Sequence, residues 1–248
     1  MQRLPGSWQT LLFTKLRCRE ECGAPPSVRR PLLPPLPGKA VAESLPKVLY
    51  LGTGNPHKLA EFERLAPSSL SILPSLAPPV EETGKTFLAN AFIKAKNTAL
   101  AFSGPPGQLV FADDSGLVVP ALGGEPGVLS ARYAGEGASD LENREALQRK
   151  MKGVPPEERG AFFVCILVAA LSGSGRLAGA AAGYVYGKIA RGPMGEGGFG
   201  YDPLFVPEGY RVSFGLMAPE EKNRISHRAK AFINLLSLLG FKSAGENR

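Results

Sequence analysis

The chain has 248 residues, of which 44% are hydrophobic and 21% charged, with a formal net charge of +7. This composition is that of an ordinary globular protein. Its three cysteines form no disulfide framework, and its longest apolar run, residues 161–171, falls short of the roughly 20 residues that a membrane helix needs. We therefore expect neither a small scaffold held by disulfides nor a membrane-spanning protein, and we expect no membrane partner.

Residues 1–46 differ from the rest of the chain in composition and in hydrophobic periodicity. They contain eight prolines, and seven Lys or Arg against three Glu, so they hold +4 of the net charge of +7. They sustain no helical or strand period, which argues against a packed element. We predict a Pro-rich basic leader, disordered or due to a misplaced translation start, followed by one domain at residues 47–248. The expected location is cytoplasmic, with an organellar targeting peptide as the alternative.

From Lys47 onward, strand and helix patterns alternate. Residues 48–51 predict a strand, and Asn55 before Pro56 predicts the start of a helix that runs to about Leu65. The further predictions are a strand at 69–76; a helix at 87–102 with Leu88, Ala91, Phe92, Ala95 and Ala99 on its apolar face; strands at 109–112 and 117–122 around a turn at Ser115 and Gly116; a helix at 141–151; a buried strand at 161–171 paired with 183–189; and a helix at 227–239. This order predicts a mixed α/β domain around one sheet.

Residues 53–58 (TGNPHK) form a turn and a helix start, where backbone N–H groups and the helix dipole favour an anion. Lys58 adds a mobile charge suited to phosphate. The spacing is not that of a Walker A loop. Taken alone, the segment is more typical of an ordinary capped helix with a surface lysine.

Two acidic pairs are candidates for metal binding. Glu81 and Glu82 precede a helix, and Mg2+ takes one or two carboxylates while keeping several waters. Asp113 and Asp114 follow a predicted strand, where ligands of α/β sheets tend to bind. Adjacent carboxylates repel each other unless a cation or hydrogen bonds compensate. The second pair is therefore the stronger candidate for a functional site.

Two later segments are suited to a nucleotide base. Residues 197–203 (GGFGYDP) combine flexible glycines with Phe199 and Tyr201, which offer stacking faces, and Asp202, which can hydrogen-bond a base edge. Lys222 and residues 226–228 (SHR) place donors at the start of the last helix. A glycine-rich turn with core aromatic residues is the competing interpretation of the first segment.

In order and spacing, these segments, together with residues 126–135 (PGVLSARYAG), resemble the non-canonical purine nucleoside triphosphate pyrophosphatases. This is the inosine/xanthosine triphosphatase family, also called Ham1-like, and the resemblance covers residues 47 to 240. It implies an elongated α/β domain whose long mixed sheet carries two lobes around a central cleft. It also implies a homodimer that cleaves ITP, dITP and XTP to the monophosphate and pyrophosphate.

The resemblance also implies roles for single residues. Glu81 and Asp114 would bind Mg2+, with Glu82 as the alternative to Glu81. Asp114 would also accept the proton of the attacking water, with Lys58 assisting and Asp113 in support. The implied substrate-binding residues are Thr53, Gly54, Asn55, Pro56, His57 and Lys58 for the triphosphate, Ser115, Phe199, Gly200, Tyr201 and Asp202 for substrate and base, and Lys222, His227 and Arg228 for base and phosphate.

Two alternatives remain open from the sequence. One is a Maf-type pyrophosphatase for modified pyrimidine triphosphates, against which the PGVLSARYAG and SHR segments argue. The other is a basic nucleic-acid-binding module without catalysis, which the net charge favours. Most of that positive charge lies in residues 1–46, so no stable nucleic-acid partner is expected.

Overall fold

The computed structural model describes residues 46–241, so the predicted leader, apart from Pro46, lies outside the described residues. In this part of the chain, six strands form one sheet in the order β2-β1-β3-β4-β5-β6. They are β1 (Val48–Leu51), β2 (Ser71–Pro74), β3 (Leu109–Val118), β4 (Gly160–Leu171), β5 (Leu177–Ile189) and β6 (Phe205–Pro207). β1 runs parallel to β2 and β3, and the other neighbours are antiparallel. The predicted mixed sheet is confirmed.

Within the described residues, five α-helices accompany the sheet: α1 (Pro56–Leu65), α2 (Phe87–Ala101), α3 (Asp140–Lys150), α4 (Pro219–Ile225) and α5 (His227–Leu238). Their starts follow local side-chain chemistry. Asn55 caps α1 before Pro56, and Ser139 caps α3 in a reciprocal capping box with Glu142. Helix α4 was not predicted, because it is short and its seven residues, PEEKNRI, contain one apolar side chain after the proline.

β3 corrects the prediction of two strands separated by a turn. It is one continuous strand of ten residues, and it pairs with β4 from Leu109 to Val118 without interruption. Gly116 is extended and pairs with Val164 of β4. A Cβ at this position would lie 2.5 Å from both the Gly127 carbonyl oxygen and the Ser130 hydroxyl. The glycine allows another segment to approach closely. The acidic pair therefore lies within a strand and not at its end.

Within residues 46–241, the two largest apolar cores lie at opposite ends of the long strands. The first contains Phe62 of α1, Phe111 of β3 and Phe232 of α5. The second contains Leu117 at the far end of β3, Leu147 of α3 and Phe163 of β4. Residues 113–115 of β3 lie between these cores, where polar side chains interrupt the apolar strand. This arrangement confirms the predicted two lobes and places the acidic pair between them.

Helix α2 is rotated relative to its predicted orientation. Its buried side chains are Asn90, Ala91, Ala95, Thr98 and Ala99. Leu88 and Phe92, which were expected in the core, are 54% and 38% exposed. The small alanines allow the helix to lie close against Ala112 and Val168 of the sheet, and this close packing decides which face is buried.

Within residues 46–241, none of the helices combines the length and the apolar character needed to cross a membrane.

Candidate active site

The side chains of Asp113 and Asp114 lie on opposite faces of the sheet, because successive strand residues alternate. Asp113 faces α1, where its carboxylate is 2.8 Å from the Lys58 ammonium. Asp114 faces α2, where it contacts Asn90 and Lys94. The expected repulsion within the pair is therefore relieved by geometry and by a separate cation on each face.

On the α2 face, two carboxylates converge on one cation. The Lys94 ammonium lies 3.0 Å from Asp114 Oδ1 and 2.9 Å from Glu82 Oε1. Asn90 donates from Nδ2 to Asp114 Oδ2 at 3.2 Å, and its Oδ1 accepts from the Gly84 N–H at 2.8 Å. The buried Asn90 amide therefore holds the loop that carries Glu82 beside the aspartate.

The structure brings Glu82, and not Glu81, to Asp114. Glu81 is exposed, whereas Glu82 is partly buried and pairs with Lys94. This geometry favours Glu82 as the second acid of the site, and the predicted role of Glu81 as a metal ligand stays a prediction. No cluster of three or more His, Cys, Asp or Glu side chains is placed to hold a metal within residues 46–241. A metal here would rest on two carboxylates, with water and substrate as further ligands.

On the opposite face of the sheet, the Asp113 carboxylate pairs with the Lys58 ammonium and is turned away from Asp114. Its Oδ2 accepts from the Ser115 hydroxyl at 2.7 Å and pairs with Lys58. Burial would raise the pKa of Asp113, but Lys58, Lys94 and Arg228 outweigh it and hold the pKa well below its ordinary value. The carboxylate is therefore a fixed negative charge that orients Lys58 at the first turn of α1.

Several backbone N–H groups of the TGNPHK turn (residues 53–58) already donate to side-chain oxygen atoms of the turn itself. Asn55 Oδ1 accepts from the N–H groups of His57 and Lys58, and the Asn55 N–H donates to Thr53 Oγ1 at 3.1 Å. Gly54 borders open space. The Lys58 side chain and the backbone at Gly54 are thus better placed to receive an anion than the first N–H groups of the helix.

A buried charge network lies between α1, α4 and α5. The Lys222 ammonium is 2.6 Å from Glu61 Oε1 and 2.7 Å from Asp202 Oδ2, and Arg228 Nη1 is 2.9 Å from Glu61 Oε2. All four side chains are buried. Asp202 Oδ2 also accepts from the Phe199 N–H at 2.9 Å. Two cations and two carboxylates therefore fix the segment that begins at Phe199.

The Phe199 ring lies among the cations of this network. Its centroid is 4.8 Å from Arg228 Cζ and 5.0 Å from Lys222 Nζ, and the His57 ring is stacked on it at 5.4 Å. Such a cluster is suited to a flat, polar aromatic group. Four predicted base- or phosphate-binding residues thus meet at one point.

His227 has unused hydrogen-bonding capacity at the same place. Its ring stacks on Phe163 at 4.7 Å, and within residues 46–241 neither ring nitrogen has a hydrogen-bond partner, nor does Nε of Arg228. Burial lowers the pKa of His227 well below its ordinary value, and Arg228 and Lys222 lower it further, so the ring is neutral. Buried polar atoms without partners are rare, and a ligand is one way to satisfy them.

The candidate site lies apart from the concavity at the end of α3. This concavity of about 740 Å3 lies at the C-terminal end of α3, against Arg159 and Arg191, and none of the candidate residues lines it. The unpartnered atoms of His227 and Arg228 are enclosed, so a side chain must move before a ligand reaches them. The half-exposed Phe199 ring, which lies over Arg228, is the best placed to do so.

Three residues at the site have no role in the sequence-based assignment. Asn90 and Lys94 are one turn apart on α2, and Glu61 lies one turn after Lys58 on α1. The sequence does contain a signal for Asn90 and Lys94: they are polar residues at positions i and i+4, each next to an alanine (positions 91 and 95) of the buried face of α2. Lys94 proves central, because it joins Asp114 to Glu82.

Comparison with known proteins agrees with this geometry. The sequence model described as the Ham1 family matches residues 49–238, which include both faces of the acidic pair and the Phe199 cluster. The chain belongs to the Ham1 family. A Ham1 relative from Geobacillus kaustophilus, named dITP/XTP pyrophosphatase, is 46% identical over 194 residues, covering 76% of this chain and 92% of the relative. One of the same name from Bacillus subtilis is 42% identical over 198 residues, covering 78% and 97%.

Solved Ham1 structures share the fold. A HAM1 protein from Coxiella burnetii superposes with a TM-score of 0.69 at 36% identity, covering 77% of this chain and 98% of that one. The Ham1 protein of Staphylococcus aureus gives 0.66 at 38% identity, covering 78% and 98%. The Ham1 match favours the family resemblance over both the Maf-type and the nucleic-acid-binding alternatives.

Proposed function

We propose that this chain is a Mg2+-dependent pyrophosphatase that hydrolyses ITP, dITP and XTP to the monophosphate and pyrophosphate. The observation that carries the proposal is the meeting of two unlike sites across the middle of β3. A carboxylate pair suited to Mg2+ lies on one face, and a cationic, aromatic cluster with unpartnered donors lies on the other. The names of the Ham1 relatives support the substrate class.

The donor set on the α2 face fits Mg2+. Glu82 and Asp114 present oxygen atoms to a common point, which the Lys94 ammonium now occupies between them. Oxygen ligands are those that Mg2+ prefers, and two carboxylates match its usual protein share. When bound, the ion would neutralise polyphosphate charge and stabilise the charge that develops on the leaving pyrophosphate.

Asp114 is proposed as the proton acceptor for the water that attacks the α-phosphorus. Burial raises the pKa of Asp114, Lys94 offsets part of the rise, and Glu82 adds to it. Lys58, held by Asp113, would donate to a phosphate oxygen from the other face.

We assign the selectivity for inosine and xanthosine over adenosine to His227 and Arg228. Inosine and xanthosine carry a carbonyl at purine position 6, where adenosine carries an amine. The Arg228 guanidinium can only donate, and the neutral His227 ring can donate from one nitrogen. A carbonyl satisfies these donors, whereas an amine leaves one of them buried and unpaired, and such mismatches discriminate strongly.

A substrate panel tests the proposal. Pyrophosphate release is measured with ITP, dITP, XTP, ATP and GTP, with and without Mg2+. We expect kcat/KM for ITP to exceed that for ATP by about 100-fold or more, since a site built around hydrogen bonds rejects a mismatched group strongly. Release should also fall to background when Mg2+ is chelated. Equal rates on ATP and ITP would remove the selectivity account, and unchanged rates under chelation would remove the metal.

The two neighbouring glutamates offer a matched test of the metal site. Glu82→Gln should raise the Mg2+ concentration for half-maximal activity by about 10-fold, because it removes one of two carboxylates at the point of convergence. Glu81→Gln removes the same charge from an exposed position and should leave that concentration within about twofold of wild type. Mg2+ titrations of both variants decide between them, and the reverse pattern would restore Glu81 as the ligand.

A homodimer and a cytoplasmic location are also proposed, and the resemblance to Ham1-like enzymes supports the homodimer. The dimer agrees with the exposed aromatic side chains Tyr184 and Tyr186 on β5, which offer apolar area to a second copy.

A further inference from the structure

The segment that carries Phe199 is held by α3, a helix to which no role in the reaction is assigned. Asp140 Oδ2 accepts from the Gly200 N–H at 2.6 Å, and Arg144 Nη1 donates to the Gly200 carbonyl oxygen at 2.9 Å. Asp140 and Arg144 are one turn apart and so project from the same side of α3. Both polar groups of Gly200 are therefore bound by a single helix.

These two hydrogen bonds fix the backbone next to the Phe199 ring. The Gly200 N–H belongs to the peptide group shared with Phe199, and its carbonyl belongs to the one shared with Tyr201. Gly200 has φ +59°, a left-handed conformation that glycine adopts readily. With the Phe199 N–H also held by Asp202, the path of the chain through the aromatic cluster is set on both sides.

The same contacts connect the two lobes. Helix α3 packs through Leu147 into the second core, and Tyr201 is bound there by its hydroxyl, which donates to the Ser130 carbonyl at 2.9 Å. The partners of the Phe199 ring, by contrast, come from α1, α4 and α5. The distance between the ring and those partners therefore depends on how firmly α3 holds Gly200.

We propose that Asp140 and Arg144 are positioning residues that set base affinity and selectivity by holding the Phe199–Asp202 segment. This inference rests on the proposed function. Neither residue contacts Asp114, Glu82 or Lys58, so the chemical step is left to the α2 face. Loosening the segment weakens the contact with the base in substrate and transition state alike, which raises KM and leaves kcat nearly unchanged.

The test uses Asp140→Ala and Arg144→Ala in the full chain. For each we expect KM for ITP to rise about 10-fold, because a hydrogen bond to a charged group is lost, with kcat within about threefold of wild type. The preference for ITP over ATP should fall by a similar factor. Matched controls are Glu145→Ala and Arg149→Ala, an exposed ion pair on the same helix, which should change neither parameter.

Conservative variants separate positioning from general helix stability. Asp140→Asn keeps an oxygen acceptor for the Gly200 N–H, and Arg144→Lys keeps a donor for its carbonyl, so both should recover most of the wild-type KM. Asp140→Asn also removes the favourable charge at the start of α3. If the Asn variant behaved like the Ala variant, the helix dipole and not the hydrogen bond would be responsible, and the proposal would fail.

A second measurement does not depend on activity. Chymotrypsin cleavage after Phe199, followed by mass spectrometry, should be several times faster in both alanine variants than in the two controls. If wild type released no pyrophosphate from ITP but the variants showed this faster cleavage, the proposed function would fail while α3 still held the segment. Unchanged cleavage together with unchanged KM would overturn the positioning role itself.

Discussion

Replacing Asp114 by Asn is expected to lower kcat for ITP about 1000-fold while the protein stays folded. Removal of a positioned general base costs between about 100- and 10,000-fold in rate, and Asp114 also supplies one of the two proposed metal carboxylates. Asn has the same shape, and its amide oxygen can still accept from Lys94 or Asn90. Lys94 keeps Glu82 as a charged partner, so the fold should tolerate the change.

Steady-state pyrophosphate release at saturating Mg2+ gives the rate, and thermal unfolding monitors the fold. The control is Glu136→Gln, which removes a charge from a side chain that is 88% exposed and pairs with Arg132. It should keep wild-type kcat. Wild-type turnover by the Asn variant would show that another group accepts the proton, and loss of the unfolding transition would show that Asp114 is needed for folding instead.

The order of elements could be predicted from the sequence, because strong local signals mark them. Asn55 before Pro56 marked the start of α1, and the apolar run at 161–171 became β4. The prediction of a turn at Gly116 was wrong because a glycine can have two structural roles that look alike in the sequence. It can reverse the chain, or it can make room for a neighbour, and here the neighbour is the segment at Gly127 and Ser130, which follows β3 in the chain.

The predicted orientation of α2 was wrong for a related reason, and the position of Glu82 beside Asp114 follows from the observed orientation. Hydrophobicity favoured Leu88 and Phe92 as buried residues, but the close approach of alanines to the sheet decided the outcome. That rotation buries Asn90, and Asn90 in turn holds the Gly84 N–H and so sets which glutamate reaches Asp114. A loop position that depends on a helix rotation cannot be taken from local pattern.

The buried charge network could not be predicted from the sequence, for a different reason. Glu61 lies one turn after Lys58 on α1, yet its partners are Lys222 and Arg228, more than 160 residues away along the chain. Each of these charges alone is typical of a solvated surface position. Only the packing of α1 against α4 and α5 makes them a buried unit.

Replacing Glu61 by Gln is therefore expected to destabilise the fold strongly. Gln removes the one charge shared by Lys222 and Arg228, and its amide N–H2 group can only face one of them as donor against donor. Breaking a buried ion pair by removing one partner costs about 3–5 kcal/mol. For a domain of this size, that lowers Tm by roughly 6–20 °C. Thermal unfolding at neutral pH measures the change.

The control and the pH dependence identify the cause. Glu63→Gln, at an exposed position on the same helix, should leave Tm within about 2 °C of wild type, as surface substitutions usually do. Burial would raise the pKa of Glu61, but Arg228 and Lys222 outweigh it and lower the pKa below its ordinary 4.5. The charge of Glu61 therefore contributes stability above that ordinary value, and the contribution is lost as pH falls through the lowered pKa. The Tm difference between wild type and Glu61→Gln should be full at pH 7 and shrink below pH 4.5. A difference that stayed constant with pH would mean that side-chain packing, and not the buried charge, holds α1 against α4 and α5.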